Sequence, residues 1–366
     1  MKIVILQGAF LPVPPLRGGA VEKVWDIVGQ QMAAVDNVVV HISKSYPGLP
    51  DSDFVHGVRH IRVKGYNTPS SGIKLKMLDL LYTIRAIRRI PTDADVIITN
   101  TFWSPILLRG KLGRKVYVDV SRVPKGQMKF YKHVGRYRAN SRMVADMIAA
   151  EVPASVHPRI GMVPNPLPFT VTEQLDLSKK EPVILYTGRI HPEKGLELLI
   201  EAFKKLDAGW KLRIIGPWES SAGGGGEDYI TKLRALAGQA AIEFTGPVYN
   251  IDDLNDHYRK ASVFVYPSLA DKGETFGLAP LEAMAWGAVP VVSGVPCFRD
   301  FITPGVNGLI FDHHAANRVD QLHHHLVTLT TNAELRKQLL AEAVKVNQSH
   351  SIPSIVNQFL KDFQNI

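Results

Sequence analysis

Short apolar runs alternate with longer stretches of helical spacing along the whole of this sequence. No other feature narrows the fold so far. Strands joined through helices run parallel, and a parallel sheet has to be covered on both faces. In the first half the strands are read at residues 2–7, 38–42, 60–63, 95–99, 115–119 and 161–164. Residues 20–34 form a helix with Val21, Val24, Trp25 and Val28 on one face, and residues 73–90 another with Leu75, Leu78, Leu81 and Ile84 inward. The second half repeats the scheme, with strands at 182–187, 211–215, 242–244, 262–266, 289–292 and 309–311. Helices fall between them at 196–206, 228–237 and 252–260.

At 366 residues the chain is long for one core, so two domains are expected. The text turns loop-like over 164–180, and the boundary is placed there: 1–168 as one domain, 169–348 as the second, 349–366 as a C-terminal helix. One cysteine, Cys297, excludes an internal disulfide and disfavours a thiolate metal site. No apolar run approaches the ~20 residues of a membrane span. The opening MKIVIL is too short and too soon polar for a secretory signal, which points to a cytoplasmic protein.

Residues 273–292, GETFGLAPLEAMAWGAVPVV, concentrate the chemistry. Pro280 suits the start of a helix over 279–286, stopped by Gly287, with a buried strand after it. Glu274 then lies on the loop before the helix and Glu282 in its first turn, so both can face one opening. The free N–H groups of a helix start attract phosphate. Two carboxylates beside an anion site suit a ligand with hydroxyls and phosphates together, as in a sugar nucleotide. The loop follows the strand at 262–266, and ligands of open α/β sheets sit beyond the carboxyl ends of strands. A second loop, YTGRIHPEKG, carries Arg189 and Lys194 before or at the next helix. Fixed cations there would stabilise charge building on a departing diphosphate.

The string E-x-F-G-L-x-x-x-E-A-M-A-x-G-x-P-V-V, met by Glu274, Phe276, Gly277, Leu278, Glu282, Ala283, Met284, Ala285, Gly287, Pro290, Val291 and Val292, resembles the signature of the retaining glycosyltransferases of family four. The G-R-x5-K-G layout around Arg189 and Lys194 is similar to that family's diphosphate clamp. The resemblance implies the GT-B fold, two Rossmann-like doubly wound domains facing across a cleft, with the last helix crossing back to the first domain. It implies that Glu282 accepts from the ribose diol and Glu274 meets hydroxyls of the transferred sugar. Phe276 falls within the donor-binding string, and Gly277, Leu278 and Ala279 would offer main-chain N–H groups to the diphosphate. The base would lie by the main chain around Val248, and Gly19 would approach the phosphates or the acceptor. The donor would be a nucleotide diphosphate sugar, UDP-hexose first and GDP-mannose as the alternative. It is a co-substrate, and no cofactor is expected. No protein nucleophile is required.

One departure concerns the acceptor. Where many members of the family carry a histidine, this chain reads TNTFWSPILL, so either Trp103 or Ser104 is expected to take that contact or the acceptor side differs. There is no G-x-G-x-x-G and no D-x-D pair in a suitable loop, so metal-independent transfer is expected. Asp252 and Asp253 read as a helix cap, and the histidines at 313–314 and 323–325 as exposed turns of a late helix. Rival readings are a sugar-nucleotide epimerase or phosphorylase of the same fold, and a basic nucleic-acid-binding protein.

Charge divides unevenly. Residues 1–170 hold 24 Lys and Arg against 11 Asp and Glu, and residues 171–366 hold 19 against 23. From 109 to 142 there are eleven cations and one acid, Asp119, with Tyr117, Phe130, Tyr131 and Tyr137 interleaved. Such a stretch suits an anionic membrane surface better than nucleic acid once an enzyme is assumed. The acceptor expected on that ground is a lipid-linked or lipopolysaccharide-type glycan at the inner face of the membrane.

Overall fold

The computed structural model describes residues 1–366 apart from Gly18 and residues 173, 174 and 176–178. Gly18 of the expected phosphate-friendly loop, and part of the loop read as the domain boundary, therefore lie outside the described residues. The chain forms two compact units, one of residues 1–169 with 350–366 and the other of residues 170–349.

The first unit holds strands β1 (Lys2–Leu6), β2 (Val38–Lys44), β3 (Ser52–Val55), β4 (Val58–Val63), β5 (Val96–Thr99), β6 (Val116–Val120), β7 (Arg136–Ala139) and β8 (Ile160–Met162). Its helices begin with α1 (Ala20–Ala34), α2 (Gly72–Ile87), α3 (Ser104–Leu107), α4 (Gly110–Gly113) and α5 (Arg142–Glu151). The sheet order is β3-β4-β2-β1-β5-β6-β7-β8, and every pairing is parallel except the β3–β4 hairpin. Central strands with apolar side chains on both faces, such as Ile3, Val4, Ile5 and Leu6, are what a doubly covered sheet demands.

The second unit holds β9 (Glu181–Thr187), β10 (Lys211–Ile215), β11 (Ile242–Gly246), β12 (Ala261–Tyr266), β13 (Val289–Ser293) and β14 (Leu309–Phe311). Its helices are α6 (Leu196–Lys204), α7 (Glu227–Ala237), α8 (Ile251–Lys260), α9 (Leu278–Ala285), α10 (Arg318–Thr331), α11 (Ala333–Ala343) and α12 (Val346–Ser349). The order β11-β10-β9-β12-β13-β14 is parallel throughout. The chain leaves β9 in one direction and returns as β12 on its other side. The crevice beyond the ends of these two strands is the switch point at which ligands of such sheets bind.

The last helix, α13 (Ile352–Phe363), belongs to the first unit. Phe359 packs 5.0 Å from the Trp25 ring on α1, and Asp362 accepts from Tyr117 at 2.7 Å and from Arg136 Nε at 2.7 Å. Beneath it Arg138 is fully buried, donating to Asp119 (2.7 Å), Asn165 (2.7 Å) and the carbonyl of Val163 (2.7 Å). A buried guanidinium is tolerable only when paired and hydrogen-bonded in this way.

That cluster corrects the reading of residues 109–142 as one basic and aromatic face. Arg138, Tyr117 and Tyr137 are buried because β6 and β7 are inner strands. Tyr131, from the loop between those strands, packs into the same core as Tyr137, and only Phe130 of the four aromatics is exposed. The inward face of α2 is also corrected. Asp79, Tyr82, Thr83 and Ala86 are buried, whereas Leu81 is exposed.

Candidate functional site

The site is assembled from the loops that follow β9 and β12. Gly277 is the N-cap of α9 with φ 94°, and no side chain caps the helix. A Cβ at this position would come within 2.5 Å of the Phe298 ring, so only glycine fits. The N–H groups of the first turn thus open toward the crevice, with the positive end of the helix behind them. Glu282 is the fifth residue of α9 and begins its second turn, one step later than the sequence spacing suggests. Its Oε2 accepts from the Tyr258 hydroxyl at 3.0 Å, and that hydroxyl lies 2.6 Å from Thr187 Oγ1. Burial first, and the Glu282 charge next, push the Tyr258 phenol well above its ordinary range, so it stays protonated as a donor.

Arg189, Val248, Leu278, Ala279 and Glu282 line one cavity of about 310 Å³, with Thr187 at its back. The Arg189 guanidinium is half exposed and donates to the Gly223 carbonyl (2.6 Å) and to Glu193 Oε1 (2.8 Å). The glycines at 223–226 are therefore part of the site's support. Gly225 N–H donates to the Ile190 carbonyl at 2.8 Å and Gly226 N–H to the Trp218 carbonyl at 2.7 Å.

Lys194 and Glu274 do not line this cavity. Both are buried, and Lys194 Nζ forms an ion pair with Glu274 Oε1. The same oxygen accepts from Tyr266 Oη (3.1 Å) and Ser268 Oγ (3.2 Å), while Lys194 Nζ stands 5.4 Å over the Tyr266 ring. The two charges are held against each other, and removing either leaves the other unpaired in a dry setting. Phe276 is likewise buried, its ring 5.6 Å from that of Phe301, so its side chain serves the core. Asp252 and Asp253 lie in the first turn of α8, and the cap is Asn250, whose Oδ1 accepts from both their N–H groups.

Gly19 lies in the first unit, where it lines a cavity of about 560 Å³ together with Gly8, Asp79, Asn100, Thr101 and Phe102. This opening lies beyond the ends of β1 and β5, the switch point of that sheet. Trp103 and Ser104 do not line it. The Ser104 hydroxyl is buried and accepts from Thr101 Oγ1 at 2.6 Å, and Trp103 Nε1 donates to the Lys76 carbonyl at 2.8 Å. Ser104 begins the short helix α3 and Trp103 caps it, and of this loop Thr101 and Phe102 form the cavity wall.

Tyr258, Thr187, Tyr266 and Ser268 position the two glutamates and were not singled out in the sequence. Each lies on a strand end, a following loop or a helix, and the β9, α8 and β12 patterns around them were legible while their contacts with the glutamates were not.

Residues 170–346 match the family model described as "Glycosyl transferases group 1". The chain is 32% identical over 145 residues to a D-inositol 3-phosphate glycosyltransferase of Xylanimonas cellulosilytica, covering 39% of this chain and 33% of the relative. It is 29% identical over 140 residues to a lipopolysaccharide 1,2-N-acetylglucosaminetransferase of Salmonella typhimurium, covering 37% and 36%. These matches span about a third of the length of the curated relatives. Among solved structures, HepE of Anabaena in complex with UDP is similar over 100% of both chains, with a TM-score of 0.72 and 15% identity. The fold is accordingly GT-B, with two Rossmann-like parallel sheets in one chain.

Proposed function

We propose, from the premise that residues 170–346 belong to the glycosyl transferases group 1 family, that this chain transfers a hexose from a nucleotide diphosphate sugar with retention of configuration. One observation carries the reading. A carboxylate held by the Tyr258 hydroxyl, which Thr187 backs in turn, an uncapped helix N-terminus and an arginine meet on one cavity at a sheet switch point.

Glu282 would accept from the ribose diol, with Tyr258 and Thr187 fixing its orientation before the donor arrives. The N–H groups of Leu278 and Ala279 would meet the diphosphate. Arg189 would stabilise the charge that grows on the leaving oxygens, which is worth more in the transition state than in the ground state. Lys194 would reach that charge by exchanging part of its hold on Glu274, freeing the carboxylate for sugar hydroxyls as it does so. These side chains supply the positive charge, so the reading needs no metal ion. The acceptor hydroxyl would attack on the face from which the diphosphate departs, its proton passing to the leaving phosphate, so no protein nucleophile is needed. UDP-hexose is the preferred donor, a choice supported by the UDP found with HepE, and GDP-mannose is the alternative. The acceptor is proposed to be a lipid-linked or lipopolysaccharide-type glycan at a membrane surface, in keeping with the lipopolysaccharide relative.

A panel of UDP-, GDP- and ADP-sugars in a thermal-shift assay tests this, since a ligand of the native state raises its melting temperature. The UDP-sugars should raise Tm in the unaltered protein and lose most of that effect in Glu282→Ala. A shift from the GDP-sugars alone would select the mannosyl alternative. No shift from any nucleotide, or one indifferent to Glu282→Ala, would overturn the site.

A further inference from the structure

His313 and His314 were expected on exposed turns of a late helix, yet they precede α10 and follow β14 directly, and His313 is only 3% exposed. Its Nε2 lies 2.8 Å from Asp271 Oδ1, and His314 Nε2 lies 3.1 Å from Asp271 Oδ2. The two rings stand with centroids 4.0 Å apart, and one ligand atom from each of the three residues falls within 4.8 Å of the others. Among the described residues this is the single cluster of histidine, cysteine and carboxylate side chains with that geometry. His313 Nδ1 is buried with no hydrogen-bond partner, so Nε2 is the nitrogen through which this residue interacts.

We propose that Asp271, His313 and His314 form a binding site for one divalent transition-metal ion of the zinc class, with a fourth position open to water. Two imidazoles and a carboxylate suit zinc in hardness and in number. Bonds of ~2.0–2.1 Å in a tetrahedron place ligand atoms about 3.3–3.4 Å apart. The distances found here are a few tenths of an ångström shorter, and the partly exposed Asp271 carboxylate together with the exposed His314 ring can supply the adjustment. Binding through Nε2 sends any proton on that nitrogen to Nδ1 of the same ring or to solvent.

None of the three residues lines the cavity that holds Arg189 and Glu282, so the role inferred for the ion is mechanical. Asp271 is on the loop between β12 and α9, which also carries Ser268 and Glu274. Bound metal ties this loop to the segment after β14 and fixes where Glu274 is presented. The inference concerns metal binding itself and does not rest on the transferase reading.

Protein made without a histidine tag and stripped with chelator is titrated with Zn²⁺ and, separately, with Co²⁺. Expected are one ion per chain by mass spectrometry, a visible d–d absorption on adding Co²⁺, and a higher Tm with Zn²⁺. Asp271→Asn and His314→Ala should each weaken Zn²⁺ binding at least tenfold, and His324→Ala, an exposed histidine on α10, should leave it unchanged. Because His314 is exposed, its substitution spares the core. An absence of binding, binding that survives both substitutions, or loss on His324→Ala would overturn the proposal. The readout uses no nucleotide, so its failure is distinct from failure of the transferase reading.

Discussion

Asp79 is an acid on the buried face of α2, a position that the sequence pattern did not place inward. It is buried on α2 against the cavity of the first unit, and burial pushes its carboxyl up to about 6 despite a hydrogen bond from Ala9. Between about pH 4 and pH 6 the folded chain keeps a proton that the unfolded chain has released, so stability falls as pH rises through that window. Above pH 6 the whole cost is present. Asp79→Asn should therefore raise stability at pH 8, by at most about 3 kcal/mol, and change little at pH 4. Urea unfolding midpoints at the two pH values measure this, and a gain that does not depend on pH would show that ionisation is not its cause. Single residues are also where the sequence was least legible. Glu282 and Arg189 could be placed from their spacing. The contact that turns Ser104 inward, and the Tyr258 and Thr187 hydroxyls behind Glu282, join residues with no shared local pattern.

Elements were more legible, in proportion to how apolar they are. The run around β13 and the helix start at Pro280 fall within a residue or two of where their side chains put them. β7 was missed because its sequence, RYRA, carries two arginines, and what buries Arg138 is a carboxylate on the neighbouring strand. β3 was missed because it is a mostly exposed edge strand closing a hairpin. At this scale α9 depends on its first residue. Gly277→Ala forces a left-handed backbone on alanine and drives its Cβ into Phe298, costing about 1–3 kcal/mol for the strain alone. The unfolding free energy from denaturant titration should fall by that amount, and the nucleotide-induced rise in Tm should fall with it. A variant of unchanged stability would mean that the helix start can re-form without the turn.

Across the whole molecule, charge and exposed apolar surface coincide in the first unit. Ile73 (84% exposed), Met77 (55%) and Leu81 (42%) lie one helical turn apart on α2, beside Lys74 and Lys76. A separate opening on the same unit gathers Arg59, Arg62, Lys64, Arg85, Arg88 and Arg89. No helix among the described residues is long and apolar enough to cross a membrane. An apolar stripe flanked by cations is the pattern of a helix lying in an anionic interface. The protein should float with anionic vesicles and be released by high salt, and Met77→Glu should weaken the association. Equal recovery with neutral vesicles would remove the membrane from the reading. The position of α13 has a different consequence, during synthesis. Its phenylalanines fill the core built by α1 and β6, yet all of residues 170–349 leave the ribosome between them. At roughly 5–20 residues per second, the first unit waits on the order of ten to forty seconds with Trp25 and Tyr117 uncovered, and the second unit can finish folding before it.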